Sequence, residues 1–294
     1  MKNEIGILGL GSMGTAMAKH LKKKYKIYGH DIKKNYTLKS SKNFFFVKNL
    51  KEIFLKTNIF IIIVLDEDQC QKIFNAFIDF KKRLKIKKDF TIINCTTVSP
   101  NWVKKIYKKL QKNNFEYIDC PVSGGPKKAV NGKLSLMISS KKNIYKKNLT
   151  LLQNIGNNIY NLGNKIGTGS TVKIINNSLA GVQIISAAEA IILAKKEKIN
   201  LKKIFKIINN SSGHSWMFND RGKRMIDKKY FKPLSRLSIF KKDMKLANKL
   251  LKKHYLNLPL TKIALKIYEM GCKQGLENFD DSAVIRLLDK RADY

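Results

Sequence analysis

The 294-residue sequence predicts an α/β fold. An N-terminal, doubly wound and mostly parallel sheet is followed by an all-α C-terminal domain, with a long interdomain helix between them. Three observations predict this. Strand-like apolar runs alternate with helical patterns up to about residue 165, as in stacked β-α-β units. Beyond Gly163, Gly167 and Gly169 the strand-like runs stop. Residues 170–196 then carry apolar side chains at helical spacing, without a proline. The domains are expected at 1–165 and 166–294.

Residues 4–8 read as a buried strand, 13–23 as a helix, 26–30 as a short strand and 44–47 as another. The β-branched run at 59–65 suits a strand covered on both faces. Residues 67–80 form a helical pattern, 90–95 a strand, and 101–111 a helix with Pro100 near its start. Strands are expected again at 117–120 and 134–139. In the second half, Val172, Ile175, Leu179, Val182, Ile185 and Ile192 recur along 170–196, a helix about 40 Å long at 1.5 Å per residue. Further helices are expected at 201–209, 240–254, 261–271 and 282–290. Trp216, Phe218 and Phe240 read as helical core.

Hydrophobic residues make up 44% of the chain, which excludes wholesale disorder. No run is expected to reach the roughly 20 apolar residues of a membrane span. The first strand begins too early to leave room for a signal peptide. The formal charge is +38, yet only six of the 59 basic residues are arginine. The lysines are scattered, whereas nucleic-acid readers favour arginine for bidentate contacts. A weak, salt-sensitive attraction to nucleic acid is expected, not a specific partner. Cys70, Cys95, Cys120 and Cys272 form no C-x-x-C pair, and His20, His30, His214 and His254 are far apart. No metal site is expected, and a reducing, cytoplasmic setting fits.

Four motifs carry chemistry. Gly9-Leu10-Gly11-Ser12-Met13-Gly14 has G-x-G-x-x-G spacing between a strand and a helix. The first glycine permits a tight turn, the second lets a pyrophosphate approach, and the third lets the helix pack close. This is a Rossmann-type dinucleotide fingerprint. Asp31, 22 residues past Gly9, is placed to accept hydrogen bonds from ribose hydroxyls and to repel a 2′-phosphate, which favours NAD. His30, Lys33 and Lys34 pull towards NADP, and a plain helix cap is the alternative for Asp31. Asp119-Cys120-Pro121-Val122-Ser123-Gly124-Gly125 ends a strand in a turn whose N–H groups and hydroxyl suit a carboxylate. A structural turn would look the same. Finally, Lys173 and Asn177 in the segment 167–177 share one helix face. On spacing alone such a lysine is more often a snorkelling surface residue.

Together these motifs resemble the β-hydroxyacid dehydrogenases, which include 3-hydroxyisobutyrate dehydrogenase and tartronate semialdehyde (2-hydroxy-3-oxopropionate) reductase. The resemblance covers essentially the whole chain. It implies an NAD(P)-dependent oxidoreductase with Lys173 and Asn177 catalytic and Ser123, Gly124 and Gly125 on the substrate. It implies that Lys242, in Lys242-Asp243-Met244, lies beside substrate and cofactor. It also implies that Thr97 sits near the cofactor ribose and that Leu65 lines the cofactor. The stretches 170–174, 179–182, 215–218 and 280–285 are most similar to the L-threonate dehydrogenase branch, whose members oxidise four-carbon sugar acids. Asp66 departs from the family, which usually has proline there. Asp281, Ser282 and His214 are candidate contacts for polyol hydroxyls, or else helix caps. Homodimers or homotetramers are implied. A different hydroxy acid, or a non-catalytic dinucleotide-binding scaffold, are the competing expectations. As base, Lys173 must shed a proton normally held to about pH 10.4, and burial and a second cation would help.

Overall fold

A computed structural model describes residues 4–33 and 38–289 and divides the chain into two compact units, 1–173 and 174–294. Lys34, invoked above for a 2′-phosphate, lies outside the described residues. The division falls inside the long helix.

The first unit holds β1 (Glu4–Leu8), α1 (Ser12–Leu21), β2 (Lys26–His30), β3 (Phe44–Phe46), α2 (Leu50–Lys56), β4 (Ile59–Ile62), α3 (Glu67–Arg83), β5 (Phe90–Asn94), α4 (Pro100–Lys112) and β6 (Phe115–Asp119). The sheet order is β3-β2-β1-β4-β5-β6, and every neighbouring pair is parallel. The predicted doubly wound sheet is therefore present. Its order reverses between β1 and β4, the place where such sheets open a crevice at their C-terminal ends. Side chains alternate across the sheet with period two. Ile5, Ile7, Ile61, Ile93 and Ile118 enter one core, while Phe60, Ile62, Ile92 and Tyr117 enter the other. Burying each such side chain contributes about 1.5–3 kcal/mol. In the second core, Phe54 stacks on Phe60 and Phe90.

After β6 the chain forms β7 (Val122–Ser123), α5 (Gly125–Ala129), β8 (Ser135–Ile138), α6 (Lys142–Ile155) and β9 (Asn158–Asn161). The strand expected at 134–139 belongs to this second sheet, ordered β7-β8-β9, in which β7 and β8 are antiparallel. Pro121 and the Gly124-Gly125 turn send the chain back on itself. Asp119 and Ser139 exchange backbone hydrogen bonds of 3.1 and 2.9 Å, joining β6 to the end of β8.

α7 (Thr168–Lys196) starts in the first unit and continues into the second. It is long and apolar enough to cross a membrane by length and composition, contrary to the expectation above. Half of its most apolar window is buried within the protein, as in a core helix. The second unit adds α8 (Leu201–Asn209), a π-helical turn (Phe218–Gly222), α9 (Lys223–Ile226), α10 (Leu237–Lys253), α11 (Pro259–Lys273), a 3-10 turn (Asp281–Ala283) and α12 (Val284–Leu288). Its core gathers Ile184, Ala188, Phe218, Phe240, Met244 and Tyr268. A Cβ at Gly181 would stand 2.7 Å from Met244 Sδ, so glycine lets α7 and α10 approach. The core expectation holds for Phe218 and Phe240 but not for Trp216, which is 47% exposed. Its ring is covered on one side by the Arg221 guanidinium, 5.8 Å from the centroid.

Candidate active site

The glycine loop between β1 and α1 is shaped by its neighbours. Gly9 has φ +94°, and a Cβ there would stand 2.2 Å from Ile63 O. Gly9 N–H donates to His30 O and Ile63 N–H donates to Leu8 O, both at 2.9 Å. A Cβ at Gly14 would meet Gly9 O at 1.9 Å, so α1 can begin this close only without a side chain. Above Gly11, by contrast, nothing lies within 4 Å of such an atom. No side chain caps α1. An open face over the second glycine, beside a helix start, fits the pyrophosphate of a dinucleotide.

Asp31 is tied to this loop. Its Oδ2 accepts from Leu10 N–H at 2.6 Å and its Oδ1 from Lys33 N–H at 2.8 Å. It caps no helix at Ile32 or Lys33, which are not helical. The carboxylate stays half-exposed, with lone pairs left for ribose hydroxyls. Leu65 follows β4 and is exposed, and its N–H donates to Gln69 Oε1. Thr97 follows β5 and is half-buried. The adjacent Thr96 hydroxyl accepts from Val64 N–H at 3.0 Å, which binds the ends of β4 and β5 together. Asp66 accepts from Gln69 N–H and caps α3, a function that proline at this place could not serve.

Ser123, Gly124 and Gly125 lie at the turn after β7, half-buried. Gly124 and Gly125 have φ +129° and +69°, and nothing lies within 4 Å of a Cβ built at Gly125. Successive N–H groups in such a turn form a concavity for an anion. Lys173, near the start of α7, is buried with 7% exposure, which removes the snorkelling alternative.

In the second unit Asn177 is also buried. Its Oδ1 accepts from Asn176 Nδ2, and its Nδ2 donates to Asp243 Oδ2 at 2.7 Å. The other oxygen of Asp243 lies 2.8 Å from Lys242 Nζ. One buried carboxylate thus holds both Asn177 and Lys242. Asp243 was not singled out from the sequence, where it is one acid on a lysine-rich helix. The structure corrects the polyol contacts proposed for Asp281 and Ser282. Both are fully buried. Asp281 accepts from Arg221 Nε and Nη2 at 2.7 and 2.9 Å, and Ser282 donates to Asp280 Oδ1 at 2.7 Å. Burial pushes the Asp281 carboxyl up, and Arg221 opposes the shift. Arg224 extends the network to Asp280 and Asp220. His214 is exposed. Among the described residues no three or more His, Cys, Asp or Glu side chains gather as a metal site.

The chain is similar to known dehydrogenases along its whole length. Residues 4–163 match the family model for the NAD-binding domain of 6-phosphogluconate dehydrogenase. Residues 167–288 match the NAD-binding model of NADP-dependent 3-hydroxyisobutyrate dehydrogenase. The chain is 31% identical to L-threonate dehydrogenase of Escherichia coli over 286 residues, covering 96% of this chain and 94% of that one. It is 30% identical to 2-(hydroxymethyl)glutarate dehydrogenase of Eubacterium barkeri, covering 97% and 94%. The crystal structure of 3-hydroxyisobutyrate dehydrogenase from Salmonella typhimurium superposes with a TM-score of 0.87 at 30% identity, covering 97% and 99%.

Proposed function

The chain belongs to the 3-hydroxyisobutyrate dehydrogenase family of NAD(P)-dependent hydroxyacid oxidoreductases, and from that premise we propose that it oxidises L-threonate to the 2-oxo acid with NAD⁺. The observation that carries the reading is a buried lysine, Lys173, one helical turn before a buried asparagine, Asn177. The likeness to L-threonate dehydrogenase supports the four-carbon acid. Free, buried thiols at Cys70, Cys95 and Cys120 support a reducing, cytoplasmic setting.

A nicotinamide dinucleotide held over the glycine loop and Asp31 would supply the acceptor for the hydride of the hydroxyl-bearing carbon. Lys173, as the neutral amine, takes the proton of that hydroxyl while the carbonyl forms, and returns it in the reverse direction. Ser123 and the N–H groups of Gly124 and Gly125 hold the substrate carboxylate, pre-aligned donors that need no reorganisation. Asn177 orients the hydroxyl, and Lys242 adds positive charge for the acid. Asp243 fixes both of these side chains. Asp31 selects a ribose with a free 2′-hydroxyl.

The test follows absorbance at 340 nm with L-threonate, D-erythronate, 3-hydroxyisobutyrate and D-glycerate, each with NAD⁺ and with NADP⁺. The expected result is turnover of L-threonate with NAD⁺ that falls by at least about 10³-fold in Lys173→Ala. Faster turnover of another acid would move the substrate and keep the chemistry. Unimpaired turnover in the variant would sink the lysine's role.

A further inference from the structure

Asp119 closes β6, is fully buried, and is reached by main-chain and hydroxyl donors from two distant parts of the chain. Ser139 Oγ donates to its Oδ2 at 3.0 Å, and Ser170 N–H donates to the same oxygen at 3.0 Å. Ser170 Oγ donates to Oδ1 at 2.7 Å. Ser139 Oγ in turn accepts from Gly169 N–H at 3.2 Å. A Cβ at Gly169 would stand 2.3 Å from Met137 O and 3.1 Å from Asp119 Oδ2. The first turn of α7 is therefore pressed against the ends of β6 and β8 by residues small enough to allow it.

A helix start leaves N–H groups that need acceptors, and a local Ser, Thr, Asp or Asn usually supplies one. Here Gly167 precedes the helix and has no side chain to offer. A carboxylate 51 residues earlier takes that place. Burial pushes the Asp119 carboxyl up, while the hydrogen bonds from Ser170 and Ser139 oppose the shift by favouring the ionised form. Its titratable neighbours, Tyr117 and Cys120, are held protonated by burial.

We infer that Asp119 is a positioning residue for Lys173: it fixes the first turn of α7, and with it the amine three residues beyond Ser170. The inference rests on the reading of Lys173 as the acid/base. A displacement of about 1 Å at such a group can cost on the order of 100-fold in rate.

The experiment compares wild type, Asp119→Asn, Ser170→Ala, Lys173→Ala and both double variants with Lys173→Ala. The substrate is the acid turned over fastest in the panel, and rates are expressed per NAD⁺-binding site. Asp119→Asn keeps the side-chain shape but puts an amide donor among donors. It is expected to lower kcat at least about tenfold with KM for NAD⁺ within about twofold; Ser170→Ala is expected to lower kcat about three- to tenfold. On the Lys173→Ala background neither change is expected to lower the residual rate further, because effects exerted through one group do not add. Wild-type kcat in Asp119→Asn, or an additive loss in the double variant, would overturn the inference. If Asp119→Asn does not fold, Ser170→Ala and its double variant decide on the same terms. Turnover retained by Lys173→Ala would overturn the acid/base reading and this inference with it. An inactive Lys173→Ala beside a fully active Asp119→Asn would overturn this inference alone.

Discussion

Asp31 and Asp119 in the first unit accept hydrogen bonds from the main chain, at Leu10, Lys33 and Ser170, Asp119 taking two hydroxyls besides and neither acid holding a cation in these contacts. Asp243 and Asp281 in the second face side chains, those of Asn177, Lys242 and Arg221. The acids do different work in the two places. A carboxylate on backbone N–H groups sets the path of a loop, so its removal is felt mainly by whatever the loop binds. A carboxylate on a buried cation neutralises it, so its removal is felt by the whole unit.

The largest expected effect tests the second half of that contrast. Asp281→Asn leaves the Arg221 guanidinium, 9% exposed, without its main counter-charge. Arg221 cannot escape by losing its proton, since a guanidinium stays charged throughout the accessible pH range and Asp220 still favours that charge against the effect of burial. Urea unfolding is expected to show a loss of about 3–5 kcal/mol, with NAD⁺ affinity of the folded protein unchanged. A loss below about 1 kcal/mol would break the contrast.

Asp31→Ser tests the first half. Losing the clamp on Leu10 N–H is expected to lower stability by only about 1 kcal/mol. The ratio of kcat/KM for NAD⁺ over NADP⁺ is expected to fall at least about tenfold, because the group that repels a 2′-phosphate is gone. Unchanged cofactor preference would show that this carboxylate shapes the loop and nothing more.

The smallest effect sharpens the contrast with a side chain whose charge no acid neutralises. Burial lowers the His20 pKa from 6.5, the charge of Lys23 adds to this, and a hydrogen bond with the Val130 backbone opposes it. A depressed pKa means that the folded state resists the proton. The stability is fully present above about pH 6.5 and is lost as the pH falls through the folded value. Melting temperature is expected to drop between pH 7 and pH 5, with a shallower slope in His20→Gln. Equal slopes would remove His20 from the balance.

Much of the sheet was legible because strands such as β4 and β5 are apolar on both faces and are followed by a helical period, so local pattern and final layer agree. The glycine loop was legible because its meaning lies in a short spacing, whereas the spacing of Lys173 and Asn177 marks only a shared helix face and their catalytic reading comes from the family resemblance. β9 was not: Asn158–Asn161 is mostly exposed and carries no apolar alternation. α2 is seven residues long, too short for a period to show. α6 hides its buried Ile144, Leu151, Leu152 and Ile155 among lysines and asparagines. Asp281 misled for a different reason. An acid beside a serine looks like a hydroxyl-binding pair until Arg221, 60 residues away, is seen to hold it. Asp119 reads from the sequence only as the start of a turn, because its partners lie 20 and 51 positions downstream.

The glycine loop also bears on the order of assembly. Its walls come from His30 at the end of β2 and Ile63 just past β4, not from residues beside it. A nascent chain that stops short of residue 63 has all three glycines but not the shape that receives a pyrophosphate. Non-local strand pairing is slow compared with helix formation, so the loop's outer walls are among the later contacts to form. The turn is therefore complete only once β4 has paired with β1, and a dinucleotide bound there would add its binding free energy to the stability of the unit.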